Sequence, residues 1–151
     1  QGDLSSWDVS NVTNMGGIFE EARKFNSDLS RWETSQVTSL KKAFRGAKNF
    51  NSDVSGWDVS KCRNFAQTFQ GATKFNHDLT PWDVVSSGRF FHRMFQDAKS
   101  FDQQLCWKID DRKLYNKNRE DDMFAGSSGE LTCEWVRVRV RLHESGFHSL
   151  G

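Results

Sequence analysis

Acidic residues recur at one fixed place in this chain: Asp8, Glu33, Asp58 and Asp83, each 25 residues after the last. Carboxylates stacked a few ångströms apart repel unless they are screened, paired or bound to a cation. The chemistry open to such a column is calcium coordination, which wants several carboxylate oxygens, or docking of a basic partner by charge complementarity. The plainer alternative is a solvated face whose acids bond the nearby Ser10, Ser35 and Ser60. With Arg31 and the other flanking residues Ser6, Gly56 and Pro81, this face is the best candidate for a binding surface in the chain.

Nothing else in the sequence assembles a reactive group. The four histidines, His77, His92, His143 and His148, stand at no metal or triad spacing from cysteine or carboxylate. There is no glycine-rich phosphate loop and no G-x-S-x-G elbow. Cys62, Cys106 and Cys133 form an odd, sparse set without a C-x-x-C pair, which argues against a zinc site and a disulfide framework and disfavours a Cys106–Cys133 bond. The expectation is therefore a non-enzyme with no catalytic residue, no cofactor and no metal ligand set.

The elements that must position the acidic column repeat with it. Trp7, Trp32, Trp57, Trp82 and Trp107 keep the same 25-residue interval, and a fixed period of this size marks a stacked architecture. Trp7 and Val9 alternate as in a strand, with Asp8 on the opposite side. Val12, Met15, Ile18, Phe19, Ala22 and Phe25 then follow the i, i+3, i+7 stripe of a helix lying on a core, with Ser10 as its N-cap. Trp7, Trp32, Trp57 and Trp82 are in phase with inward Leu and Val, so they are expected in the core, as are the phenylalanine columns Phe19, Phe44, Phe69, Phe95 and Phe25, Phe50, Phe75, Phe101. Asn26, Asn51 and Asn76, followed by Asp102, form a polar column best read as a ladder bonding backbone groups of adjacent coils. Asp28, Asp53 and Asp78 read as turn caps.

One residue is inserted between Trp82 and Phe95 and one is lost between Phe101 and Trp107, so the tryptophan register survives. The fifth unit is degraded and polar, as a terminal capping coil should be. The expected organisation is four near-complete repeats plus this capping repeat over residues 1–129, then a tail or edge strand over 130–151. In that tail Trp135 to Leu142 alternates Arg with Val or Leu.

Lys and Arg number 21 against 20 Asp and Glu, a formal net charge of +1, which leaves no electrostatic footprint for nucleic acid or an anionic membrane. No apolar run is long enough to insert in a bilayer. The chain opens in mid-repeat, without an initiator methionine, and is expected to be a fragment.

The string Leu4-x-x-Trp7-x-Val9-x-x-Val12 is similar to the strand pattern of leucine-rich repeats. The fuller Trp-Asp-Val-Ser-x-Val-Thr-x-Met…Phe…Ala-x-x-Phe-Asn-x-Asp-Leu resembles the BspA-like leucine-rich-repeat surface proteins over residues 1–129. That resemblance implies a right-handed α/β leucine-rich-repeat-like solenoid, with one short parallel strand and one helix per coil. It also implies a cell-surface or secreted location, and a non-enzymatic protein-interaction or adhesion scaffold binding an unidentified protein through its exposed strand face. The competing readings are a carbohydrate-binding module that takes glycans on exposed aromatics, and a purely structural spacer in a longer surface protein.

Overall fold

The computed structural model describes residues 2–84, 90–107, 109 and 123–132. Among them there is no helix, and the only strands are β1 (Gln104–Leu105) and β2 (Glu130–Leu131), which pair in parallel. The expected α/β solenoid of one strand and one helix per coil is not formed. What forms instead is a stack of hydrogen-bonded β-turns, layer upon layer. Asn14, Ser39, Asn64 and Phe90 join successive layers as isolated parallel bridges.

The reason lies in where the amides go. In the first layer Trp7, Val12, Ile18, Glu20, Ala22 and Phe25 each donate to the carbonyl three residues back, closing a turn. A helix would need every amide in that stretch to reach four residues back. Here the intervening amides of Met15, Gly17, Phe19 and Glu21 cross instead to the carbonyls of Ser39, Lys41, Ala43 and Arg45 in the second layer, at 3.0, 2.9, 2.8 and 2.6 Å. The third layer receives the amides of Leu40, Lys42, Phe44 and Gly46 in the same way.

Left-handed backbone at two places per layer enforces this path. Gly17, Lys42, Gln67 and Arg93 share one position, with φ of 66°, 61°, 59° and 55°. Glu21, Gly46, Gly71 and Asp97 share the other, with φ of 58°, 70°, 68° and 57°. A right-handed helix cannot pass through either. Chained turns of three-residue span still bring Met15, Ile18, Phe19, Ala22 and Phe25 to one side, so the apolar stripe of a helix survives without the helix.

The core is a set of aromatic columns. Phe19, Phe44, Phe69, Phe95 and Phe124 stack with centroids 5.5, 5.4, 5.6 and 5.5 Å apart. Beside them run Phe25, Phe50, Phe75 and Phe101, at 6.0, 5.8 and 6.0 Å. Within each layer the two columns touch, as for Phe44 and Phe50 at 4.0 Å. Such pairs contribute roughly 0.5–1.5 kcal/mol each beyond the area they bury. Trp32, Trp57, Trp82 and Trp107 are buried, and each indole Nε1 donates to a carbonyl of the layer before: Leu4, Leu29, Val54 and Leu79, at 2.9–3.0 Å. Trp7 departs from the expectation. It is 57% exposed, because the first layer has no described layer in front of it.

The asparagine ladder is a backbone device. Asn26 Oδ1 accepts from the Asn51 amide at 2.7 Å, Asn51 Oδ1 from the Asn76 amide at 2.9 Å, and Asn76 Oδ1 from the Asp102 amide at 3.1 Å. Cys62 is buried and forms no disulfide, its thiol donating to the Asn64 carbonyl at 3.7 Å, whereas Cys106 is disulfide-bonded, against the expectation from its spacing. The alternating Trp135–Leu142 segment lies outside the described residues, as do Cys133, His143 and His148.

Candidate functional site

The acidic column is built by the turns that carry it. Each Leu/Val-x-x-Trp turn is preceded by an aspartate, and the next turn by a second acid. Asp8 Oδ1 accepts from the Ser10 amide at 3.0 Å and from its hydroxyl at 2.6 Å. Asp58 Oδ1 accepts from the Ser60 amide at 2.9 Å. The same side-chain turn recurs one position class earlier, where Asp3, Asp28, Asp53 and Asp78 accept from the amides of Ser5, Ser30, Ser55 and Thr80 at 2.8–2.9 Å. Aspartate serves here because its short carboxylate reaches its own backbone two residues on. Ser10 is thus the partner of a capping acid and not the N-cap of a helix.

Two columns of exposed carboxylates therefore flank the tryptophan turns. One holds Asp3, Asp28, Asp53 and Asp78, the other Asp8, Glu33, Asp58 and Asp83. Local bonds favour the ionised form of Asp3, Asp8, Asp28, Asp53 and Asp58. The Ser10 hydroxyl, then its amide, holds Asp8 below the ordinary aspartate value. Asp58 is lowered by Ser60 and Asp3 by Ser5 in that same order. Asp28 and Asp53 are lowered first by the amides and then by the hydroxyls of Ser30 and Ser55. A carboxylate with a turn bond on Oδ1 still has a second oxygen with which to meet a partner.

The sequence-derived residues are not equivalent in the structure. Asp8 with Ser10, and Asp58 with Ser60, are brought together. Glu33 is exposed, one methylene longer than aspartate, and no hydrogen bond joins it to Ser35. Its neighbour Thr34 turns inward, with Oγ1 donating to the Asp58 carbonyl at 3.1 Å. Ser35 Oγ accepts from Gln36 Nε2 at 3.5 Å. Asp83 is exposed at the fourth layer. Arg31 is exposed and its charge helps lower both Asp3 and Asp28. The first-column aspartates belong to the same acidic edge, and the D-x-S/T spacing they share with Asp8 and Asp58 is the signal that could have united the two columns. Since the layers here carry no strands, the expected strand face is in fact an edge of turns.

Cations lie both beside the acids, where Lys61 helps lower Asp58 and the His77 ring stands 3.9 Å from Asp53, and farther round the layer. Arg45 Nε bonds Glu20 Oε1 at 2.7 Å, with Lys42 Nζ at 3.8 Å from the same oxygen, and Lys61 Nζ donates to Gln36 at 2.8 Å. Among the described residues no group of three or more His, Cys, Asp or Glu converges as a metal site would require. No helix there is long and apolar enough to cross a membrane.

Comparison with known proteins corrects the family expectation. The family model described as Mycoplasma protein of unknown function, DUF285, matches residues 1–108, and the chain belongs to that family. No BspA-like or other leucine-rich-repeat family matches, so that resemblance is withdrawn along with the fold it implied. No curated protein and no solved structure matches the chain.

Proposed function

We propose that this member of the DUF285 family is a non-enzymatic protein-interaction scaffold, secreted or displayed at the cell surface, that docks a basic protein surface along its acidic edge. The observation that carries the reading is the pair of exposed carboxylate columns, repeated layer by layer, in which Asp3, Asp8, Asp28, Asp53 and Asp58 are held charged by their own turns. A single exposed ion pair contributes only about 0–1 kcal/mol. A rigid row presents many such contacts at once, without the entropy of ordering them on binding. The disulfide at Cys106 supports an oxidising compartment, where such bonds persist. A sugar platform is not favoured, because Trp32, Trp57, Trp82 and Trp107 are buried.

The test neutralises one of the two columns, Asp8, Glu33, Asp58 and Asp83, without removing its turn caps. Asp8→Asn, Asp58→Asn and Asp83→Asn keep a carbonyl acceptor, and Glu33→Gln keeps the length. Titrated with a decalysine peptide at low ionic strength, the parent should bind with a steep salt dependence. The fourfold variant should bind about tenfold more weakly, with a flatter salt response. Equal binding by parent and variant would overturn the docking role. Surface display is tested separately by labelling intact cells with a membrane-impermeant amine reagent. Failure to label the protein while known surface proteins are labelled would remove that part of the reading.

A further inference from the structure

The two positions ahead of Phe25, Phe50, Phe75 and Phe101 carry an exposed cation in every layer. They hold Arg23 and Lys24, then Lys48 and Asn49, Thr73 and Lys74, and Lys99 and Ser100, with no acid among them. The backbone beneath is tied from layer to layer. The Asn49 amide donates to the Arg23 carbonyl at 3.1 Å, that of Lys74 to Lys48 at 3.2 Å, and that of Ser100 to Thr73 at 3.1 Å. Thr73 Oγ1 adds a bond to the Lys48 carbonyl at 3.1 Å. The cations therefore stand in a row whose spacing is set by the stack, beside phenylalanine rings that repeat at 6.0, 5.8 and 6.0 Å.

Several other cations are engaged within the body: Arg45 and Lys42 meet Glu20, and Lys61 donates to Gln36. In the row, Arg23 lies 3.6 Å from Glu21. Lys48, Lys74 and Lys99 enter no ion pair among the described residues. The exposed Asp28, Asp53 and Asp78 follow Lys24, Lys48 and Lys74 by four or five residues, which keeps them within about 17 Å of the row. A positive row and a negative row thus run side by side along the stack. The formal net charge of the chain is nonetheless only +1, so two copies are not held apart by overall repulsion.

We infer that this basic row is a docking surface for the acidic edge of a second copy of the chain. The inference rests on the acidic edge being a docking surface, as proposed above, and names its basic partner. Two copies share one layer step, so a cation and an acid meet at every layer without drifting out of register. A surface of another period would match at one layer and miss at the next. Each exposed ion pair contributes only about 0–1 kcal/mol, so the rows must act as a set. The arrangement also fixes the orientation. A two-fold axis parallel to the stack sets each copy's basic row against the other's acidic row and closes an isologous dimer. A two-fold axis lying across the stack would set like charges face to face.

Sedimentation velocity at low ionic strength should show the parent in a monomer–dimer equilibrium that shifts to monomer in about 0.5 M salt. Lys48→Glu, Lys74→Glu and Lys99→Glu together should weaken dimerisation about tenfold or more. Asp28→Asn, Asp53→Asn and Asp78→Asn, which keep the turn acceptors, should weaken it as well. Mixed, these two variants should pair more tightly than either does with itself, because one keeps the acids and the other the lysines. Lys48→Gln, Lys74→Gln and Lys99→Gln guards against a fold lost to the glutamates, and should change dimerisation in the same direction. A parent that stays monomeric at low salt, or a glutamate variant that dimerises as tightly as the parent, would overturn the inference. Decalysine binding by such a monomeric parent would leave the acidic-edge reading standing alone. A monomeric parent whose lysines capture a decaglutamate peptide would give the row to a foreign acidic partner and overturn the inference equally.

Discussion

Replacing Trp57 by Phe should cost this protein far more than the same change at Trp7, and the difference can be worked from the layer contacts. Trp57 is 4% exposed, its indole Nε1 donates to the Leu29 carbonyl at 3.0 Å, and its ring lies face to face with Trp32 at 6.1 Å. Phenylalanine removes the donor. The Leu29 carbonyl keeps its bond from the Trp32 amide, so the loss is that of one net hydrogen bond, about 1 kcal/mol. The smaller ring leaves a void of about 40 Å³, which costs about 1 kcal/mol more. Lost burial of the missing ring atoms adds about 1 kcal/mol. The expected destabilisation is about 3 kcal/mol. Trp7→Phe removes an exposed ring and should stay within about 0.5 kcal/mol of the parent. Urea unfolding followed by circular dichroism measures both. If Trp57→Phe cost less than about 1 kcal/mol, or no more than Trp7→Phe, the indole-to-carbonyl tie between layers would not be what secures the column.

Other consequences follow from the turns. Gly71 has φ +68° and would meet only ordinary van der Waals contact with the Gly46 backbone, so Gly71→Ala should destabilise by about 1 kcal/mol through backbone strain, while Gly56→Ala, with nothing nearby and no positive φ, should be neutral in thermal melts. Asn51→Ala strips the Asn76 amide of its acceptor and should cost about 1 kcal/mol; Asn51→Asp keeps the acceptor and should cost less in the same denaturant titration. Because the folded state holds Asp3, Asp8, Asp28, Asp53 and Asp58 below their ordinary value, their contribution is complete above that value and is lost as pH falls through the lowered one. Melting temperature should therefore drop on acidification below about pH 4. Combined Asp→Asn replacement at the five positions should flatten that acid limb, and an unchanged limb would place the acid sensitivity elsewhere.

The inward and outward assignment of residues was largely legible. Tryptophan, leucine and phenylalanine at a constant interval must share an environment, and four of the five tryptophans in the repeat do occupy the core. Asparagine at a turn needs a backbone partner, and the ladder from Asn26 to Asp102 supplies one. The candidate acids were legible as a column, but their local work was visible only in part. Asp8 and Asp58 bind their own serines, whereas Glu33 stands in the same row and binds neither Ser35 nor a turn amide.

By itself, the sequence determined the period, the residues that stack and the surface that carries the acids, because burial and charge are properties of side chains repeated at fixed spacing. It did not determine the backbone path between them. An apolar stripe at i, i+3 and i+7 is satisfied equally by one helix and by a chain of three-residue turns, and Lys42, Gln67 and Arg93 give no hint of a left-handed backbone. Only the stacked structure decided between the two. Each layer offers carbonyls to the amides of the layer before it, and those inter-layer bonds replace the ones that an isolated helix would have made within itself.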